Sequence, residues 1–185
     1  WFYHANEDAK VKTAEQLFDI YLSSVGRGST LLLNIPPDQR GLFHEKDIES
    51  LKGYKKLLET EFAFNIAKKA RVKTSSIRSN EAIYAGKMIT DGKKDTYWTT
   101  DNDLSTGSFE IDLGKTATVK YIVLQEYIRL GQRVKAFTVD IWKDGTWQKV
   151  AGATTIGYKR ILKIDPVNTS KIRVNINDSK ACPLI

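Results

Sequence analysis

Cysteine is nearly absent from this sequence, in which Cys182 is the single thiol. An intrachain disulfide and a thiolate metal cluster are therefore excluded. No apolar run approaches the roughly 20 residues that a membrane-spanning helix needs. There is also no Gly-rich phosphate loop and no His/Cys cluster at metal spacing, and neither His4 nor His44 has a partner nucleophile in a recognisable motif. The sequence therefore predicts no phosphate-binding loop, no His/Cys metal site, no recognisable His-activated nucleophile and no membrane span.

Charge is distributed unevenly along the chain. Residues 1–61 carry eight Lys/Arg against ten Asp/Glu, whereas residues 62–185 carry twenty-one against twelve. The basic second part could attract nucleic acid or acidic glycans, but its lysines are spread out, and the interleaving of basic and aromatic residues that is usual in nucleic-acid sites is absent. We therefore expect a solvated surface and no nucleic-acid partner.

The first part of the chain has a helix, strand, helix pattern. Residues 13–16 have the spacing of a capping box, and apolar residues then recur at helical spacing until Gly26. Residues 30–35 are almost continuously apolar and precede two prolines, as in a buried parallel strand. A second helical pattern ends near Glu61. Such a unit equals two repeats of an α/β barrel, so we expect its missing strands upstream or on another chain.

Asn34 lies at the carboxyl end of this predicted strand. In parallel α/β folds that end of the sheet faces the active site, which makes Asn34 a candidate site residue. The alternative is that Asn34 only caps backbone groups of the following Pro-Pro turn.

Beyond Phe62 the hydrophobic period changes from helical to alternating. Alternation is clear in three stretches, near residues 109–113, 137–141 and 172–176, and Asp144-Gly145 is a hairpin turn. Short strands at such spacing predict an antiparallel β-sandwich of about 120 residues. We accordingly predict three regions, which are a barrel part at 1–61, a linker at 62–69 and a sandwich at 70–185.

A short polar loop in the second part could hold a cation. Asp91, Gly92, Asp95 and Thr96 bring side-chain and backbone oxygens together within a few residues, as a hard cation such as Ca2+ requires. An ordinary Asx and Thr turn is the equally simple alternative.

Four motifs in residues 1–61 carry a resemblance to a known family. They are Trp1-Phe2-Tyr3-His4, Glu7-Asp8, Leu31-Leu32-Leu33-Asn34-Ile35-Pro36-Pro37 and Gly41-Leu42. In this order and at this separation they resemble the last part of the TIM-like catalytic barrel of glycoside hydrolase family 29, the α-L-fucosidases. The first motif is closer to the subgroup that prefers α-1,3/1,4-linked fucose in branched oligosaccharides.

Three further motifs resemble the discoidin-like, or coagulation factor type C, jelly-roll sandwich that includes carbohydrate-binding module family 32. They are Asp91-Gly92-x-x-Asp95-Thr96-x-Trp98, Phe109-x-Ile111-Asp112-Leu113-Gly114 and Ile172-Arg173-Val174. A fucosidase barrel followed by such a sandwich is a familiar arrangement, so the two resemblances support each other.

The fucosidase resemblance implies a retaining mechanism with two carboxylates, both expected upstream of Trp1. It also implies that Trp1 packs against the apolar edge of fucose, that Tyr3 and His4 line the same wall, and that Asn34 lies at the rim. Trp1 could instead be a barrel core residue.

The sandwich resemblance implies a calcium site and a sugar-binding surface. Its calcium ligands map onto the Asp91 side chain, the carbonyls of Met88 and Lys93, and the carbonyl and hydroxyl of Thr96. The remaining ligand is expected a few residues beyond Ile185, so we expect the sandwich to stop before its last strand. Candidate sugar-binding residues are Arg129, Tyr158 and Arg160, together with Trp98, Asn102 and Tyr127, although Trp98 suits a core better.

We therefore predict the C-terminal portion of a retaining exo-α-L-fucosidase that acts on terminal fucose of oligosaccharides or glycoconjugates, without catalytic carboxylates of its own. The family implies a secreted, periplasmic or cell-surface protein. The alternative is a carbohydrate-binding module or adhesin with no catalysis, in which the sandwich carries the function.

Overall fold

The computed structural model describes residues 2–185, so that Trp1 lies outside the described residues. The chain divides into two compact units, residues 1–65 and residues 66–185. No helix among the described residues combines the length and apolar character that crossing a bilayer requires.

Unit 1 is built on two α-helices, α1 (Ala14–Ser23) and α2 (Glu45–Glu61), with 3-10 turns at Ala5–Lys10 and Val25–Arg27. The predicted capping box is confirmed, because Gln16 N–H donates to the Thr13 hydroxyl and Thr13 N–H donates to the Gln16 side chain. Helix α1 ends earlier than predicted, and Gly28 rather than Gly26 takes the left-handed conformation, with φ of 83°.

The strand predicted at residues 30–35 is wrong for this chain as it stands. In the described part of unit 1 this segment carries no strand assignment, and Leu32 is 83% exposed. A parallel strand is defined by hydrogen bonds to its neighbours, and among the described residues of unit 1 there is no strand to supply them. The local pattern was that of a buried strand, but the partners that would make it one are not among the described residues.

Unit 2 contains the five strands β1 (Arg71–Thr74), β2 (Gly107–Leu124), β3 (Val134–Lys143), β4 (Thr146–Ala153) and β5 (Arg160–Ser179). Short 3-10 turns occupy Arg78–Asn80, Ala82–Tyr84, Gly86–Thr90 and Ile128–Leu130. The strand order is β1-β2-β5-β3-β4, and every pair is antiparallel.

The predicted antiparallel strands are present, but they form one open sheet rather than a sandwich of two sheets. Strands β2 and β5 are 18 and 20 residues long and stay paired through two register shifts, so hydrogen bonding continues where two layers would separate. Phe109 near one end of β2 and Ile122 near the other belong to the same buried cluster. Residues from both ends of β2 therefore contribute to one core, together with Trp98, Ile156 and Ile185 from outside the sheet.

The hairpin between β3 and β4 confirms the predicted turn. Asp144 and Gly145 both have positive φ, 52° and 76°, and Lys143 pairs with Thr146 across a two-residue loop. These angles suit the right-handed twist of the strands that the turn joins.

The C-terminal segment returns to the loop that precedes β2. Trp98 and Ile185 exchange two backbone hydrogen bonds of 2.7 and 3.0 Å, and Thr99 forms an antiparallel bridge with Leu184. Trp98 is fully buried, and its indole N–H donates to the Ser76 carbonyl at 2.8 Å, which confirms its assignment to the core.

Candidate functional site

Tyr3 is the centre of a polar cluster in unit 1. Its hydroxyl donates to Asp8 Oδ2 at 3.2 Å, and its ring lies 5.9 Å from that of His44. Burial, followed by the Asp8 carboxylate, raises the pKa of Tyr3, so the phenol stays protonated at neutral pH. The cluster joins the aromatic motif to residues far along the chain.

His44 belongs to this cluster through its second ring nitrogen. Its Nδ1 accepts the Lys46 N–H at 3.3 Å and caps α2, while its Nε2 lies 3.3 Å from Asp8 Oδ2. No sequence motif singles out His44, because a lone histidine is usually structural. Its position immediately before a helix with Glu45 and Asp47 in the first turn was the one available signal.

Asp38 organises the turn that leads to His44. Its carboxylate accepts the Arg40 and Leu42 amides at 2.8 and 3.4 Å and two guanidinium N–H groups of Arg40 at 2.9 and 2.6 Å. The hydrogen bonds from the Arg40 side chain are the main reason that the pKa of Asp38 lies below its ordinary value. Arg40 also contacts Glu45 at 2.9 Å, so the turn is tied to the start of α2.

Asn34 lines a cavity of about 160 Å³ in the same unit. Lys12, Asp47 and Ser50 contribute polar atoms to the lining, and Ser50 donates its hydroxyl to the Lys12 carbonyl. Asn34 itself is exposed. The structure therefore gives Asn34 a concave setting of mixed polarity.

The remaining predicted substrate residues have different settings. His4 is exposed, and its carbonyl accepts the Glu7 amide at the start of the first 3-10 turn. The prediction for Trp1 lies outside the described residues. Tyr3 is thus the predicted wall residue for which the structure supplies defined polar partners.

In unit 2 the predicted cation loop is a tight turn around Asp91. Asp91 Oδ1 accepts the Lys93 amide at 2.8 Å, and Asp91 Oδ2 accepts the Thr96 hydroxyl at 2.7 Å. Gly92 has φ of 79°, which lets the backbone reverse here. The Asx-turn alternative is therefore present in the geometry.

The same loop carries oxygen atoms of the kind that a hard cation prefers. The Asp91 carboxylate and the Thr96 hydroxyl converge from opposite ends of the loop, and Met88 lies in the adjoining turn Gly86–Thr90. Among the described residues, no group of three or more His, Cys, Asp or Glu side chains is placed to hold a metal. Any ion here would depend on Asp91, the hydroxyl and backbone carbonyls.

The predicted sugar-binding residues lie around the loop that follows β2. Arg129 is 3.3 Å from Asp95, which belongs to the cation loop, and both side chains are exposed. The Tyr158 carbonyl accepts the Gln125 side chain at 3.1 Å, and Arg160 pairs with Leu124 at the end of the sheet.

The other predicted sugar-binding residues differ in their access to solvent. Asn102 is exposed, whereas Tyr127 is half-buried and stacks on Tyr97 with ring centroids 4.6 Å apart. Tyr158, which is 50% exposed, is the most accessible aromatic side chain among the predicted sugar-binding residues.

Glu126 holds these loops together, and no sequence motif pointed to it. Its buried carboxylate accepts the amides of Arg133, Val134 and Gly157 at 2.7, 2.9 and 2.6 Å. One side chain thus links the loop after β2 to the loop before β5. These hydrogen bonds fix the position of the loop that carries Tyr158.

Known families account for both units. Residues 1–61 match the Alpha-L-fucosidase family, and residues 71–185 match the F5/8 type C domain. Alpha-L-fucosidase 1 of Arabidopsis thaliana is 33% identical over 189 residues. That alignment includes 100% of this chain and 37% of the relative, so the chain spans little more than a third of that protein.

Solved structures give the same result. The protein named SpGH29 is 41% identical, with a TM-score of 0.90 over 100% of this chain and 40% of its own. A Ruminococcus gnavus glycoside hydrolase family 29 fucosidase, determined in complex with fucose, is 31% identical, with a TM-score of 0.86 over 94% of this chain and 35% of its own. Both resemblances noted in the sequence are confirmed, and the chain belongs to the F5/8 type C domain family through residues 71–185, preceded by a segment, residues 1–61, that matches the alpha-L-fucosidase family.

Proposed function

We propose that this chain is the C-terminal portion of a retaining exo-α-L-fucosidase that removes terminal α-linked fucose from oligosaccharides or glycoconjugates. The observation that carries the proposal is the joint match of residues 1–61 and 71–185, in this order, to fucosidases aligned over the whole chain. A retaining glycosidase needs one carboxylate as nucleophile and one as general acid and base. In the proposal both lie upstream, and this chain supplies binding and positioning groups.

Unit 1 contains side chains that suit one wall of a sugar-binding site. Tyr3 and His4 follow Trp1 directly, and Asn34 lines a concave surface. Aromatic rings favour the apolar face of a sugar, whereas hydroxyl and amide groups fix its orientation by hydrogen bonds. In this proposal the remaining barrel strands pair with residues 30–35 and cover the exposed Leu32.

Unit 2 has the role of an accessory domain in the proposal. Its own core and its exposed Tyr158, together with the exposed Arg129, support binding to glycans. They favour the second candidate, a carbohydrate-binding module without catalysis. The two candidates predict different behaviour. A module binds glycan as residues 66–185 alone, whereas the fucosidase also turns over substrate when the upstream carboxylates are present.

Calcium is proposed as a structural ion in unit 2. The Asp91 carboxylate, the carbonyls of Met88 and Lys93, and the Thr96 oxygens would hold it. Continuing the register of Trp98 and Ile185 by two residues leads to the position opposite Thr96, where a further carboxylate would complete the ligand set. A secreted, periplasmic or cell-surface location is also part of the proposal, and fractionation of the producing cell tests it.

The experiment is hydrolysis of an aryl α-L-fucoside by the full-length polypeptide and by residues 1–185 alone. We expect turnover by the first and none above a blank by the second, because the two carboxylates supply most of the acceleration. Retention of anomeric configuration in the released fucose, followed by NMR, tests the stereochemistry. Glycan binding without turnover in the full-length polypeptide would favour the module.

A further inference from the structure

We propose that Asp8 and His44 form a positioning pair that orients the Tyr3 hydroxyl as a hydrogen-bond acceptor for a sugar hydroxyl. The inference rests on the proposed function, since it takes Tyr3 as part of the wall of the sugar site. It adds two residues to that site, neither of which needs to touch the substrate. Both would act through Tyr3.

Asp8 is the shared acceptor in this arrangement. Its Oδ2 lies 3.2 Å from the Tyr3 hydroxyl and 3.3 Å from His44 Nε2, and its side chain is 29% exposed. Asp8 Oδ2 accepts a hydrogen bond from the Tyr3 hydroxyl and lies within ion-pair distance of the imidazole, so it is held between the two side chains. Asp8 lies in the 3-10 turn Ala5–Lys10, five residues after Tyr3, so it is fixed on the same segment.

His44 fixes Asp8 from a distant part of the chain. Because Nδ1 accepts the Lys46 amide, the proton of the neutral imidazole is assigned to Nε2, which faces Asp8. Glu45 Oε2 lies 3.6 Å from the same Nε2, and the other Glu45 oxygen contacts Arg40 at 2.9 Å. The groups that face the imidazole are therefore Asp8, Glu45 and the Tyr3 ring.

This arrangement fixes the direction of the Tyr3 hydroxyl proton. A phenol has one proton to donate, and here that proton points to Asp8. The lone pairs of the Tyr3 oxygen remain available to accept a hydrogen bond from a substrate hydroxyl. Without the ionised Asp8 and the His44 that holds it, the phenol could rotate its proton toward the ligand and lose this preference.

The test uses the full-length polypeptide with Asp8→Asn and His44→Asn variants. Asparagine at 44 keeps an acceptor for the helix cap, but its shorter side chain takes away the imidazole nitrogen that lies beside Asp8. We expect each change to raise KM for an aryl α-L-fucoside about tenfold, the size of one lost charge-assisted hydrogen bond, with kcat changed less than about threefold. The matched control is Glu7→Gln, which removes an exposed ion pair with Lys10 in the same turn and should leave KM unchanged.

Two further measurements separate positioning from simple stability. The double variant should raise KM no more than either single change, because the two residues act through one contact. Nitrogen-15 NMR of the imidazole should show the Nε2–H tautomer in the wild-type protein, and the Nε2 resonance should shift in Asp8→Asn, because the carboxylate that lies 3.3 Å from Nε2 is then gone. An unchanged KM, additive effects in the double variant, or a Nδ1–H tautomer in the wild type would each overturn the inference.

Failure of the proposed function has a different signature. If the wild-type polypeptide hydrolyses no aryl fucoside and binds no fucose-like iminosugar, the fucosidase assignment fails, and with it the substrate role of Tyr3. If turnover is normal but Asp8→Asn and His44→Asn resemble the Glu7→Gln control, the fucosidase assignment stands and the positioning pair is wrong.

Discussion

The guanidinium of Arg173 lies 4.3 Å from the centre of the Trp147 ring. The same group donates from Nε and Nη2 to Asp140 Oδ2 at 3.2 and 3.1 Å, and Glu110 approaches it from the opposite strand at 3.9 Å. Paired positions across the sheet give a row of alternating charge, which runs Lys73, Glu110, Arg173, Asp140 and Lys149. Cross-strand pairs of opposite charge stabilise a sheet and oppose register shifts.

Replacing Arg173 by alanine should destabilise unit 2 by about 2 kcal/mol, because the largely buried Asp140 would keep only the side-chain donor of Asn175. Denaturant unfolding followed by tryptophan fluorescence measures the change. The control is Lys135→Ala, whose partner Asp178 is about half exposed, and there we expect less than about 1 kcal/mol. Equal effects of the two changes would contradict a special role for Arg173.

Glu126→Gln should loosen two loops at once. The amide side chain turns an N–H group toward backbone N–H donors, so at least one of the three bonds from Arg133, Val134 and Gly157 is lost. We expect a loss of stability of about 2 kcal/mol and faster hydrogen exchange at these three amides. Exposed Glu81→Gln serves as control. Unchanged exchange at Gly157 would show that other contacts hold the loop before β5.

The lowered pKa of Asp38 predicts that the turn around it is less stable at low pH. Its pKa is lower in the folded chain than in the unfolded chain, mainly because Arg40 donates to it. The stabilising contribution is therefore present above the unfolded pKa, about 4, and is lost as the pH falls through the folded value. Carbon-13 NMR of the Asp38 carboxyl in the full-length polypeptide should give a midpoint below 4, and Arg40→Gln should move it upward. A midpoint at the ordinary value in both proteins would contradict the role of Arg40.

Local chemistry made parts of the fold predictable. The capping box at Thr13 depends on residues three apart, and the Asp144-Gly145 turn on two adjacent residues, so each could be read from the sequence. The segment 30–35 behaved differently, because a strand exists only through partners that a local pattern cannot supply. The open sheet could not be predicted from local patterns either. Only the pairing of β2 with β5 shows that each of these long strands runs on through its register shifts.

In the candidate site, too, contacts between residues near in sequence could be predicted and long-range contacts could not. The motifs led directly to Tyr3 and Asp91, whose side-chain hydrogen bonds are within five residues in sequence. The long-range partners could not be found this way. His44 lies 36 positions from Asp8, and Glu126 lies 31 positions from Gly157, so only the folded chain reveals that each pair meets.

Trp1→Ala in the full-length polypeptide should weaken the binding of fucose. Removing an aromatic face that packs against the sugar should cost about 1 to 3 kcal/mol. The inhibition constant of a fucose-like iminosugar measures the loss. An unchanged constant, together with a lower melting temperature, would place Trp1 in the core of the barrel instead.

The loop at Asp91 gives a prediction for calcium. Asp91 supplies the negative charge, Gly92 allows the turn, and Thr96 brings its hydroxyl to 2.7 Å from the carboxylate. A cation that binds only the folded state stabilises it by about 2.7 kcal/mol at a hundredfold excess over its dissociation constant. We expect this gain in a polypeptide extended past Ile185, and a weak gain or none in one that ends there, because a charged ligand is then missing.

Melting temperatures with calcium and with a chelator test both versions of the protein. Asp91→Ala should abolish the difference in the extended polypeptide, whereas Asp95→Ala, which removes the exposed partner of Arg129, should leave it in place. The comparison of calcium with chelator is needed because Asp91→Ala also removes the hydrogen bonds from Lys93 and Thr96, which by itself destabilises the loop. In that case the loss is the same with calcium and with chelator. Equal melting temperatures of the extended polypeptide under the two conditions would mean that the turn is held by its own hydrogen bonds.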